Sequence, residues 1–152
     1  MQITLVNIGG RARSKDPFEA LVCDYLKRSA GVARCDTQAF REERGLFDWL
    51  AGQRGRTDPQ VLLLDATGRR MTSEELAVWL GSRRAEGARH VIFAIGPADG
   101  WSEPVRAEWK GHHGLLSLGP MTLAHQLARL VMAEQIYRAC TILTGHPYHK
   151  GH

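Results

Sequence analysis

The stretch SLGPMTLAHQLARLVMAEQIYRACTILTGHPYH, Ser117 to His149, decides how the rest of the chain is read. It opens at the end of an apolar run, Leu115, Leu116 and Leu118, turns through Gly119 and Pro120, and then runs free of Gly and Pro up to Gly145. Strand, tight turn and long helix follow from that order. Thr122 is the expected helix cap, because its hydroxyl can accept from an amide of the first turn. Leu123, Leu127, Leu130, Val131 and Tyr137 share one helical face, and Met132, Ile136, Cys140 and Leu143 the opposite one. A helix apolar on two sides is covered on two sides. One side can lie on the sheet of its own domain, and a second copy of the chain is the economical cover for the other. Glu134 and Arg138 stand four apart, the spacing that pairs charges on a helix surface.

Upstream, strands and helices alternate. Ile3 to Ile8 is a β-branched, apolar run that ends in Gly9 and Gly10, a buried strand followed by a turn. Asp16 and Pro17 open a helix that runs to about Ser29 and is closed by Gly31. A second strand is expected within Val32 to Phe40, then a charged loop, Arg41 to Arg44, and a short helix over Leu46 to Leu50. Val61 to Leu64 is a central strand emptying into Asp65, Ala66, Thr67 and Gly68, and Ser73 starts the next helix. Val91 to Ile95 empties into Gly96, Pro97, Ala98, Asp99 and Gly100. Ser102 and Glu103 begin another helix, and Leu115 to Leu118 is the last strand. This alternation predicts an α/β fold with a mainly parallel sheet and helices on both faces.

The chain has 152 residues, 43% hydrophobic and 24% charged, with no repeat, low-complexity segment or linker, so residues 1–152 read as one domain. Its formal net charge is +4, and most of the basic residues are Arg, which suits bidentate contact with phosphate. Three scattered cysteines, Cys23, Cys35 and Cys140, lack metal-ligand spacing and point to structural thiols in a reducing compartment. The short apolar run at the start is neither a signal peptide nor a membrane span, so a soluble, cytoplasmic protein is expected.

In open parallel sheets ligands collect at the carboxyl ends of strands. The candidate floor is therefore Leu64, Asp65, Ala66 and Gly68, then Gly96 to Gly100 and Leu118 to Leu123, where small residues let a flat ring approach the backbone. The same glycines also serve as ordinary turn residues. The dinucleotide fingerprint G-x-G-x-x-G and the P-loop pattern are both absent, which disfavours a standard Rossmann cofactor site and nucleotide hydrolysis. His146 and His149 have no carboxylate or Cys beside them, so no metal is expected.

The order L-S-L-x-x-M-T-L-x-H-x-L-x-R, then A-E-Q-x-Y-R-A, then H-P-Y-H near the chain end, resembles the ribosomal RNA large subunit methyltransferase H family of the SPOUT superfamily. The resemblance covers essentially the whole chain. It implies a C-terminal trefoil knot, S-adenosylmethionine as methyl donor, and a homodimer built through the C-terminal helix. Carried over by position, it implies cofactor contacts at Leu64, Gly96, Leu118, Gly119, Pro120, Met121, Thr122 and Leu123. The implied acceptor is N3 of a pseudouridine in a hairpin of large-subunit (23S) ribosomal RNA, within assembled ribosomes. Tyr148, His149 and Lys150, on a tail near the partner's cofactor, become candidate catalytic residues, with His149 as general base. Arg11, Arg13, Lys15, Arg69 and Arg70 are candidates for phosphate contacts. Pro97 stands where the family has a second glycine, and it removes a main-chain donor. The alternative reading is a non-catalytic RNA-binding or ribosome-associated protein that keeps the fold.

Overall fold

In the computed structural model, residues 1–9, 15–53, 55 and 57–151 are described. The elements are β1 Gln2–Ile8, α1 Pro17–Arg28, β2 Arg34–Phe40, α2 Glu43–Gly52 and β3 Gln60–Arg70, followed by α3 Ser73–Ala85 and β4 His90–Ile95. Then come α4 Glu103–Gly111, β5 Leu115–Ser117, α5 His125–Thr144 and a short 3-10 tail, Pro147–Gly151. The strands form one sheet in the order β2-β1-β4-β3-β5. Each pairing is parallel.

Side-chain alternation along the strands divides the interior into two layers. Ile3, Leu5, Leu62, Val91 and Phe93 face α1, α3 and α5. Val6, Ile8, Leu63, Ile92 and Ala94 face α2 and α4. The helices therefore cover both faces, as the alternation predicts. Local signals set their ends. Asp16 caps α1 by accepting from the amide of Phe18 at 2.9 Å, with Pro17 in the first turn. Thr72 and Glu75 form a reciprocal capping box at α3.

Several boundaries differ from the sequence reading. Glu43 and Arg44 already belong to α2, so the charged run is only partly loop. β3 does not end at Leu64. Leu64 and Arg69 both register against Leu116 of β5, so the four residues between them bulge out before the strand resumes. That polar, Gly-containing segment has no alternation to reveal it as strand. The helix α5 begins at His125, and Thr122 does not cap it; Ala124 occupies the cap position without a side-chain bond. Gly119, at φ +121°, sends the chain out of β5 in a conformation that L side chains rarely adopt. The chain then stays irregular for the rest of the segment up to Ala124.

On α5, Met132, Ile136 and Cys140 are buried as one face predicts, each large side chain contributing roughly 1.5–3 kcal/mol. Leu143, assigned to that face, is 36% exposed, while Tyr137, assigned to the other, is buried against Tyr25 and Tyr148. Phe18 and Leu21 of α1 and Leu127 of α5 remain exposed apolar residues on two helices that pack together. Glu134 and Arg138 do pair, at 2.6 Å between Oε1 and a guanidinium nitrogen. Burial pushes the Cys35 thiol up to about 12 and the Cys140 thiol up to about 11, so both stay protonated near neutral pH. No helix of the described residues is long and apolar enough to cross a membrane.

Candidate active site

β3, β4 and β5 lie side by side, so their carboxyl ends open on one edge of the sheet. A cavity of about 740 Å³ occupies that edge. Its walls are Leu64 to Thr67 after β3, Ile95 to Trp101 after β4, and Leu118, Gly119 and Met121 to His125 after β5, with Arg106 and Ala128 from helices. Of the residues expected at a cofactor, Leu64, Gly96, Leu118, Gly119, Met121, Thr122 and Leu123 line it, and Pro120 does not. Among the described residues, the amides of Met121, Thr122 and Leu123 donate to no other part of the chain. Main-chain donors therefore stand beside the cavity in the irregular segment before α5.

The β3 bulge carries the charged part of the wall. The Asp65 side chain, 7% exposed, accepts from the Thr67 amide at 2.9 Å, from the Thr67 hydroxyl at 2.5 Å and from Arg106 Nε at 3.0 Å. Burial pushes its pKa up, but the Thr67 bonds and the Arg106 guanidinium outweigh this and hold it below the usual 3.8. Because the folded pKa is depressed, the associated stability is present above the unfolded value and is lost only as pH falls through the folded one. Asp65 therefore stays ionised at neutral pH. Arg106 reaches it past Gly100, at φ +89°, where a Cβ would lie 3.3 Å from the guanidinium. Arg106→Ala should leave the buried carboxylate with one charged partner fewer and destabilise the protein, by less than the loss of a fully buried pair because Arg106 is 30% exposed. Urea unfolding reads this directly, and Asp65→Asn in the same background should return part of the loss.

A second cavity of about 410 Å³ shares Leu118 and Gly119 with the first and runs between Arg70 to Ser73 and the α5 residues Val131, Met132 and Gln135. Arg69, Arg70 and Lys15 are exposed. Arg11 and Arg13 lie outside the described residues.

The tail residues do not line either cavity of their own chain. Tyr148 donates to Glu134 Oε1 at 3.0 Å and packs on Tyr137. Burial, and then the bond to Glu134, push the phenol up to about 12, so Tyr148 is neutral and cannot act as a base near pH 7. His149 lies between Arg138, 3.1 Å from Nδ1, and Glu74, 2.8 Å from Nε2. Arginine only donates and carboxylate only accepts, so Nδ1 accepts and Nε2 carries the proton. In this docked position neither ring nitrogen has a lone pair to offer a substrate. Lys150 is exposed. Among the described residues no group of three or more His, Cys, Asp or Glu is placed to hold a metal ion.

Pattern reading missed Trp101, Arg106 and His125 as cavity residues. Trp101 and Arg106 belong to the site through contacts 37 and 41 residues apart in sequence, which periodicity does not register. His125 was missed because the sequence reading starts the helix at Thr122, whereas α5 starts at His125.

The family model described as "Predicted SPOUT methyltransferase" matches residues 1–149. A protein of Koribacter versatilis named ribosomal RNA large subunit methyltransferase H is 43% identical over 152 residues, covering 100% of both chains. Its namesake in Maricaulis maris is 36% identical, covering 93% of this chain and 94% of its own. Among solved structures, the ribosomal RNA small subunit methyltransferase E of Neisseria gonorrhoeae bound to S-adenosyl methionine is 15% identical with a TM-score of 0.47, covering 94% of this chain and 66% of its own. The chain belongs to the SPOUT methyltransferases and, within them, to the ribosomal RNA large subunit methyltransferase H family of rRNA-modifying enzymes.

Proposed function

We propose that residues 1–152 form a single-domain, homodimeric enzyme of the cytoplasm that transfers a methyl group from S-adenosylmethionine to N3 of a pseudouridine in a 23S rRNA hairpin of assembled ribosomes. The observation that carries the cofactor site is the convergence of three strand exits on one cavity of about 740 Å³, within the range of small-molecule sites. The wall chemistry fits the ligand. Ala66, Ala98 and Gly119 leave flat backbone for a purine ring, and free amides at Met121 to Leu123 can hydrogen-bond its edge. Asp65 and Asp99 against Arg106 leave the lining with an excess negative charge, which favours a cationic ligand. When bound, S-adenosylmethionine supplies a methyl group already activated by a positive sulfur.

The protein's own task is positioning and proton removal. The acceptor nitrogen loses a proton as it gains the methyl group. Tyr148, held neutral, orients rather than deprotonates. His149 can take the proton once the tail has left Arg138 and Glu74, and we assign it to the cavity of the partner subunit. Exposed Phe18, Leu21 and Leu127 support a dimer that buries the outer face of α1 and α5. Exposed Lys15, Arg69 and Arg70 supply phosphate contacts. We also assign the chain the family's trefoil knot. Its support is membership of the SPOUT methyltransferases. Mass spectrometry of ribosomal RNA from a deletion strain tests the reaction: the pseudouridine should lack its methyl group. A methyl group still in place would remove this substrate.

A further inference from the structure

Trp101 has no part in the chemistry above, yet it is 3% exposed and sits where two of the three strand exits meet. Its indole Nε1 donates to the main-chain oxygen of Leu64 at 2.8 Å. Its ring covers Gly96 so closely that a Cβ there would lie 2.8 Å from Cε2 and Nε1. Leu64 and Ile95 are the last register partners of the β3–β4 ladder. Beyond them the chain leaves the ladder through Gly96 into Pro97. A strand-end carbonyl needs a donor, and here a side chain provides it.

We propose that Trp101 is a positioning residue of the methyl-donor site, which fixes the Leu64 carbonyl and the Gly96 backbone. The proposal rests on the assignment of this cavity to S-adenosylmethionine. Leu64 and Gly96 both line that cavity, and the indole holds one with a hydrogen bond and the other with its face. A carbonyl oxygen has two lone pairs, so the bond from Trp101 orients the Leu64 peptide without exhausting it. The two small-molecule walls after β3 and β4 are thereby set before a ligand arrives, which lowers the ordering cost of binding. Gly96 is glycine because the indole occupies the space of its Cβ.

Titration calorimetry with S-adenosylmethionine tests this, because it separates the dissociation constant from the fraction of working sites. Trp101→Phe keeps a ring over Gly96 and removes only the N–H. It should weaken binding about three- to tenfold, the worth of one neutral hydrogen bond, with stoichiometry unchanged. The KM for S-adenosylmethionine should rise with kcat little changed. An unchanged dissociation constant in Trp101→Phe, or a fall in stoichiometry alone, would overturn the proposal. A wild-type protein that does not bind S-adenosylmethionine would instead overturn the assignment of the cavity itself.

Discussion

Gly68→Ala is expected to destabilise the protein by about 3 kcal/mol, the upper end of what overpacking costs, and to weaken ligand binding at the strand-exit cavity with it. A Cβ at Gly68 would lie 2.6 Å from the Leu115 carbonyl carbon and 2.7 Å from both the Leu115 oxygen and the Leu116 nitrogen. All three are backbone atoms, so no side chain can turn aside. Either the β3 bulge or β5 must shift. β5 is only three residues long, and it meets β3 through Leu115, Leu116 and Ser117, so a small displacement breaks a large share of its ladder. The segment after β5 forms the third wall of the cavity, which is why stability and binding should fall together. Chemical unfolding and cofactor titration measure the two effects. A variant as stable as wild type would mean that the bulge does not press on β5 as described.

His149→Ala should lower turnover at least about 100-fold while leaving the affinity for S-adenosylmethionine within about a factor of two, as expected for loss of a general base that does not hold the cofactor. Within one protomer His149 touches Arg138 and Glu74, not the cavity. The proposed mechanism therefore has the tail act at the partner subunit's cavity rather than at its own. Mixed dimers distinguish the two. Ala66→Trp fills the cavity from an exposed position, and a chain carrying it should be inactive with an intact tail. Combined with His149→Ala chains, it should regain activity that neither homodimer has, since one site then has an open cavity and a working tail. Unchanged turnover in His149→Ala would remove the residue from the mechanism. Absence of activity in the mixture would place the tail's role within its own subunit.

Much of the architecture was legible because its signals are local. Apolar runs ended by Gly or Pro marked β1, β4 and β5, and Asp16 with Pro17 marked the start of α1. Glu134 and Arg138 paired as their spacing required. The departures come from tertiary contacts that overrule local preference. Thr122 is a good cap by type, but Gly119 turns the chain outward and α5 starts three residues later. Asp65 to Arg70 reads as loop because polar residues and a glycine interrupt it, yet β5 pairs with its far end. Tyr137 is covered within its own chain because its partners, Tyr25, Arg28 and Tyr148, come from the first helix and the tail. At the site, the three stretches after β3, β4 and β5 could be placed together from strand order alone. The bonds that tie them to each other, Trp101 to Leu64 and Arg106 to Asp65, depend on side chains meeting across the fold.

The claim on which the mechanism depends is that the edge where β3, β4 and β5 end is built to receive a methyl donor. A crystal structure of the protein grown with S-adenosylmethionine tests it most directly. The adenine should lie against the backbone of Leu64, Gly96 and Leu118 to Leu123, with His149 of the other subunit close to the methyl group. A cofactor seated elsewhere, or a protomer whose α5 stays bare to solvent, would contradict it.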